Sequence, residues 1–351
     1  MNKWTKALKE LDSVVDYGYD PFAPENVLQF PSPSLNWIYA NKGFGIPKGS
    51  GTLLFSQPKA GKSLLIQSLV AQMHQDDPEG IAIIFNTEMR GLFQQGQIFS
   101  GLDKDRLIIY DTNDPVQIFD RMERDIVPLL QDGMPLRIVA IDSLNSIAGV
   151  KSNTPDRSVA DHLVGDHALT IQKGLAKFMP IVRKYKLVAM ATAQIRSNVD
   201  SGPYGPKEKM AASWAAKHSF EYFVSLRVAN AADDKVDIEG NKFEDESVKD
   251  LRGNKEQTGH KIIVKMEQSS IGTPGRTGLI TLDYKHGIVN QHEEVFLLAY
   301  NTGIITREGT STYCFGDIKA RGKGEFARMI KSSPELYYAI LDAIKIRDAQ
   351  R

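Results

Sequence analysis

The sequence predicts an α/β fold, a mostly parallel central sheet covered by helices, and three observations carry the prediction. Short apolar runs recur at Thr52-Leu-Leu-Phe55, Ile81-Ala-Ile-Ile-Phe85, Leu107 to Tyr110, Ile138-Val-Ala-Ile141 and Leu187-Val-Ala-Met-Ala191. They are almost continuous rather than alternating, as strands buried on both faces are. Helical patterns lie between them, which is the order of a sheet with helices on its faces.

The elements follow in chain order. Trp4, Leu8, Leu11 and Val15 stand at helical spacing among Lys and Glu, so residues 2 to 15 are expected to form a short amphipathic helix with one face to bury. A Pro-rich connector runs from Pro21 to Pro33, and the apolar stretch Leu35 to Tyr39 ends in a turn at Gly43 and Gly45. From Gly51 the pattern is strand, polar turn at Ser56 to Lys62, and helix at Ser63 to Met73. Phe220 to Val228, Lys261 to Met266 and Gly278 to Tyr284 read as later strands, expected to be antiparallel because little helix separates them. Residues 229 to 260 carry nine acidic and five basic residues without apolar periodicity and are expected to be an exposed, mobile insertion.

A chain of 351 residues, 42% hydrophobic, can bury a large core. The expected division is an N-terminal segment and linker at 1–48, an α/β core at 49–292 and a small C-terminal region at 293–351. Acidic and basic residues number 43 each, so no global positive field points to a polyanionic partner, and any such surface must be local. The single cysteine, Cys314, excludes an intramolecular disulfide framework and a cysteine-based zinc cluster. No apolar stretch approaches the roughly 20 residues that span a bilayer, and the N-terminus is polar and charged, so a soluble, cytoplasmic protein without membrane partners is expected.

The turn Ser56-Gln57-Pro58-Lys59-Ala60-Gly61-Lys62-Ser63, followed by Leu64, sits between an expected strand and an expected helix, the setting a phosphate-binding loop requires. In such a loop backbone N–H groups surround the phosphates, Lys62 reaches the β and γ oxygens, and Ser63 offers its hydroxyl to Mg²⁺. Ser56 stands where the motif has its first glycine. ATP and Mg²⁺ are therefore the expected cofactors. Asp142 and Ser143 end an apolar strand, at the sheet edge where ligands bind in open α/β folds, and Asp142 is the second expected metal residue. Glu88 follows the neighbouring strand and is the candidate base for the attacking water; a helix N-terminal carboxylate is the competing reading.

At this point the chain resembles the RecA family and, within it, the UvsX recombinases of tailed phages. The resemblance rests on an ordered series: Phe30-Pro-Ser-Pro-Ser-Leu-Asn36, the phosphate loop, Ile84-Phe-Asn-Thr-Glu88, Ile141-Asp-Ser-Leu144, Ala193-Gln-Ile-Arg196 and Val264-Lys-Met-Glu267. It covers about residues 30 to 290. It implies a RecA-like ATPase core in which Glu88, Lys62 and Gln194 are catalytic, with Gln194 sensing the γ-phosphate. It also implies a DNA loop at 197 to 213, expected to be structureless, with Arg196, Lys207 and Lys209 for phosphates and Tyr204 for bases. By position, a second loop between Gly149 and Asp166 would use Lys151 and Arg157. Lys217 and Lys265 match lysines beside a neighbouring subunit's nucleotide, and Arg276 could serve nearby. Where the family pairs lysines, this chain has Lys265 and Glu267.

The activity so implied is DNA-dependent ATP hydrolysis by an ATP-dependent homologous recombinase. It would form a helical homo-oligomeric filament on single-stranded DNA and promote strand pairing and exchange with homologous duplex DNA. Single-strand-binding and mediator proteins could be partners, and the setting would be cytoplasmic, that of the infected bacterial host if the chain is phage-encoded. A hexameric DNA helicase and a regulatory RecA-fold ATPase not acting on DNA are the alternatives. Lys319, Arg321, Lys323, Arg328 and Lys331 form a local basic cluster that could be a secondary duplex surface or a solvated face.

Overall fold

The computed structural model describes residues 19–41, 43–89, 101–150, 165–197, 208–210, 218–229, 244–249, 255–257 and 259–350, with only the backbone at 196, 197, 208–210, 244–249 and 255–257. The expected N-terminal helix at 2 to 15 lies outside them. Two short strands, β1 (Val27–Leu28) and β2 (Ile46–Pro47), pair antiparallel around helix α1 (Pro33–Tyr39). Ser32 caps α1 by accepting the Leu35 N–H, and Pro33 occupies its first turn, where a missing N–H costs nothing.

The main sheet follows with β3 (Gly51–Ser56), α2 (Lys62–Asp76), β4 (Ile81–Asn86) and β5 (Leu107–Asp111). After β5 two π-wound turns, Val116–Asp120 and Met122–Ile126, lead into α3 (Val127–Gln131). Then come β6 (Leu136–Asp142), α4 (Asp166–Lys184), β7 (Val188–Ser197), β8 (Glu208–Met210), β9 (Tyr222–Val228), and the β10 (Glu244–Lys249) and β11 (Lys255–Gln257) hairpin. Strands β12 (Gly259–Ser269), β13 (Thr277–Asp283) and β14 (Gly287–Val289) complete the sheet. Its order is β14-β13-β12-β9-β3-β7-β6-β4-β5, with β8 on the end of β7. The protein is thus a mixed α/β structure with a large, mostly parallel central sheet flanked by helices, as a RecA-like core is.

Period-two alternation divides the strands between two cores. Leu54, Ile84, Ile138 and Ala140 enter one core with α1 and α2, while Leu53, Ile83, Phe85, Val139 and Ile141 enter the other with α4 and the π-wound turns. Each Leu, Ile, Val or Phe among them, fully buried, contributes roughly 1.5–3 kcal/mol. The C-terminal part packs α5 (Gln291–Asn301), α6 (Lys323–Ser332) and α7 (Pro334–Ala349) with the three-stranded sheet β15 (Thr306–Glu308), β16 (Thr312–Phe315) and β17 (Ile318–Arg321) around Phe296, Tyr313, Phe326 and Ile340.

The later strands are antiparallel to one another as expected, β9 to β12 and β12 to β13, while β9 is in addition parallel to β3. Two expectations need correction. The stretch at 197 to 213 is not structureless throughout: Glu208–Met210 forms a strand antiparallel to the end of β7. The 229 to 260 insertion likewise contains paired strands, whose cross-strand ladder its acidic composition did not announce.

Candidate nucleotide site

The site grows from the end of β3. Ser56 is fully buried, and the turn after it bends through Lys59 and Gly61, both at positive φ, 64° and 99°. The φ of Gly61 disfavours a side chain, and a Cβ there would also force Leu282 Cδ1 to shift. Pro58 and Lys59 lie at the exposed tip of the turn, Ala60 is buried, and Leu64 packs against the first core. No side chain caps the N-terminus of α2, so its first N–H groups are presented to an incoming anion.

Lys62 Nζ donates to Ser56 Oγ at 2.9 Å and to Gln57 O at 3.3 Å, both neutral acceptors. Burial lowers its pKa, against the opposing pull of Asp142 and Glu88. A part-buried ammonium so placed is stabilised by an arriving phosphate. Ser63 Oγ donates to Asp142 Oδ2 and Thr192 Oγ1 to Asp142 Oδ1, each at 2.5 Å. Asp142 is 7% exposed; burial pushes its carboxyl up, while the Ser63 and Thr192 hydrogen bonds pull it down. A hydroxyl and a desolvated carboxylate in contact are an oxygen donor set suited to Mg²⁺, and ATP and Mg²⁺ fit the residues present.

Glu88 lies two residues beyond β4. The end of that strand is stitched to β6 by Thr87 N–H to Asp142 O at 2.8 Å, and Thr87 Oγ1 donates to Ser143 O at 2.6 Å. Glu88 Oε1 accepts from Ser143 Oγ and from Gln194 Nε2, each at 3.2 Å. Lys62, Ser63, Glu88, Asp142, Ser143 and Gln194, which are scattered over 133 positions of sequence, thus meet at one sheet edge. Thr192 and Asn145 were missed. Thr192 left a signal, a hydroxyl within the otherwise apolar Val188-Ala-Met-Ala-Thr-Ala193, where a buried polar group needs a partner; Asn145 left none.

Lys265 lies on β12, away from this cluster. Its Nζ donates to Glu267 Oε2 at 2.7 Å, and Ser225 Oγ takes the other carboxylate oxygen at 2.7 Å. It lines an open cleft of about 830 Å³ with Phe55, Gln57, Ile195, Arg227 and Ile263. Arg276 is not available there: it is buried, pairs with Asp348 and donates to Trp37 O. Arg196 and Lys209 are register partners across β7 and β8. Lys151, Arg157, Tyr204, Lys207 and Lys217 lie outside the described residues. In the C-terminal cluster Lys319 pairs with Glu308 and Arg328 with Glu325. Among the described residues no helix is long and apolar enough to cross a membrane.

No family model matches the chain. It is similar to Protein RecA of Oleidesulfovibrio alaskensis, 22% identical over 91% of this chain and 82% of that protein, and to Protein RecA of Nautilia profundicola, 24% identical over 92% and 83%. A mitochondrial DNA repair protein recA homolog of Dictyostelium discoideum is 24% identical over 97% of this chain and 70% of its own length. Identity of 22–24% over nine tenths or more of the chain supports a RecA-family reading.

Proposed function

We propose that this chain is a RecA-type ATPase of DNA recombination and repair, of the phage UvsX kind, that forms filaments on single-stranded DNA and pairs it with homologous duplex. The observation that carries the reading is the cluster at the sheet edge, where an ammonium, a hydroxyl, two carboxylates and an amide converge beside an uncapped helix N-terminus. The RecA relatives span nearly the whole chain, which extends the reading beyond a generic nucleotide site.

Lys62 and the first N–H groups of α2 would bind the phosphates, and Ser63 with Asp142 would hold Mg²⁺. The metal, when bound, offsets negative charge on the β and γ oxygens. Glu88 would orient and deprotonate the attacking water. Gln194, whose amide can donate and accept at once, would exchange its hydrogen bond to Glu88 for one to the γ-phosphate. Residues 49–292 would make up the ATPase unit, 1–48 the polymerisation segment and 293–351 an accessory region. Arg196, Tyr204, Lys207 and Lys209, with Lys151 and Arg157, would hold DNA by backbone charge and stacking. Lys217 and Lys265 would approach a neighbouring subunit's nucleotide across the open cleft.

The test is ATP hydrolysis by the purified chain with and without single-stranded DNA, with negative-stain microscopy of the same samples. Stimulation by DNA together with helical filaments is expected. Closed rings would favour the helicase, and hydrolysis indifferent to DNA the regulatory ATPase.

A further inference from the structure

Asn145 occupies a place where the sheet runs out of backbone. β7 is paired with β6 as far as Ile141 opposite Ala191, whereas on its other side β3 stays paired as far as Ser56 opposite Gln194. β6 ends at Asp142, and the chain turns off into the 3₁₀ turn Leu144–Ser146. Between Ala191, its last residue paired with β6, and Ile195, its first paired with β8, β7 thus has no β6 partner where Gln194 stands. Asn145 Oδ1 accepts the Gln194 N–H at 2.8 Å, so a side-chain amide supplies the acceptor that β6 no longer does.

The turn that carries Asn145 is itself held from several directions. Ser143 O accepts from Thr87 Oγ1 at 2.6 Å, Ser143 Oγ reaches Glu88 at 3.2 Å, and Leu144 O lies 3.2 Å from His167 Nε2 at the start of α4. Asn145 therefore ties the end of β7 to a fixed point that also carries Glu88. With the Gln194 backbone so held, its side chain reaches the same Glu88 oxygen that Ser143 does.

We propose that Asn145 is a positioning residue for ATP hydrolysis: its hydrogen bond to the Gln194 N–H sets the Gln194 carboxamide against Glu88. The inference rests on reading Glu88 and Gln194 as base and sensor. Asn145 touches no reacting atom. Its loss frees the end of β7 and lets the carboxamide leave the place where base, water and phosphate must meet, a misplacement felt in turnover more than in nucleotide affinity.

The 351-residue chain and its Asn145→Ala and Asn145→Asp variants should be compared in two measurements. The first is amide hydrogen exchange over residues 190–197; the second is kcat and KM for ATP with an oligo-dT strand present. Asn145→Ala is expected to speed exchange at Gln194 about tenfold and to lower kcat about tenfold, with KM changed less than about threefold. Asn145→Asp keeps an oxygen acceptor at the same position and is expected to restore both. Wild-type exchange and kcat in Asn145→Ala would overturn the proposal, as would equal loss of kcat in the two variants at unchanged melting temperature. A wild-type chain that hydrolyses no ATP would sink the ATPase reading instead, and the exchange comparison would still decide whether Asn145 holds Gln194.

Discussion

At the scale of single residues, the site is governed by desolvation. Lys62 is lowered in pKa by burial and donates to a hydroxyl and a carbonyl, two neutral acceptors, which suits the proposed phosphate contact. Lys62→Ala should reduce ATP turnover by about 10²-fold or more, and Glu88→Gln should stop turnover while ATP still binds; hydrolysis at the wild-type rate in purified Lys62→Ala would show the assignment to be wrong. Glu294 is another desolvated carboxyl. It is 1% exposed, accepts from Ser32 Oγ at 2.5 Å and from Ser34 N–H at 3.2 Å, and burial pushes its carboxyl up to about 8 from 4.5. A raised native pKa means that the folded state keeps a proton the unfolded chain gives up. The stabilising contribution is complete below about 4.5 and is lost as pH rises through about 8, at up to about 1.4 kcal/mol per unit. Glu294→Gln carries no such proton, so its melting temperature should fall less than that of the wild type between pH 5.5 and 8. Parallel curves would remove Glu294 as the cause.

At the scale of elements, the junction of α7 with the central sheet depends on one buried ion pair. Arg276, one residue before β13, donates to Asp348 at 2.7 and 3.1 Å and to Trp37 O at 2.6 Å, and its guanidinium lies 4.4 Å from the Trp37 ring centroid. One cation therefore joins the C-terminal helix, α1 and the sheet. Asp348→Asn leaves Arg276 buried without its counter-charge and should destabilise the protein by about 3 kcal/mol, the lower end for such pairs because two Arg276 contacts survive. The combined Arg276→Met, Asp348→Leu variant removes both charges and should recover most of that loss in urea melts. A double variant as unstable as the single one would mean that shape, rather than charge, holds α7. The same pair explains why Arg276, read from sequence as a nucleotide-site candidate, has a structural role: an arginine beside a strand start does not reveal that a helix from the far end of the chain will cover it.

At the scale of the whole molecule, the nucleotide cluster and the β7–β8 ladder share one strand. Gln194 touches Glu88, and two residues later Arg196 pairs in register with Lys209. ATP and single-stranded DNA are therefore expected to tighten each other's binding, a coupling that must be reciprocal. Gln194→Ala should keep nucleotide affinity and lose DNA stimulation of hydrolysis, and neutralising Lys207 and Lys209 should flatten the salt dependence of DNA binding by about one unit per lost contact. A wild-type chain shown to be bound to DNA yet unstimulated by it would end the coupling argument.

The sequence by itself determined whatever depends on neighbours along the chain. The apolar runs became the parallel strands β3 to β7, and the Ser56–Ser63 turn became a loop between strand and helix, because a strand buried on both faces and a turn needing Gly61 are local demands. Lys62, Ser63, Asp142 and Glu88 were legible because each stands at a strand end or helix start. Only the tertiary structure decided what depends on which strands become neighbours. Placing β9 beside β3 follows from a crossover, and Thr192 and Asn145 enter the site because β7 runs alongside β6. Arg276 leaves it because Asp348 arrives from 72 positions away. A hydrogen bond between distant positions leaves no trace in either local pattern, since its partner is chosen by the packing of the sheet and not by the residues beside it.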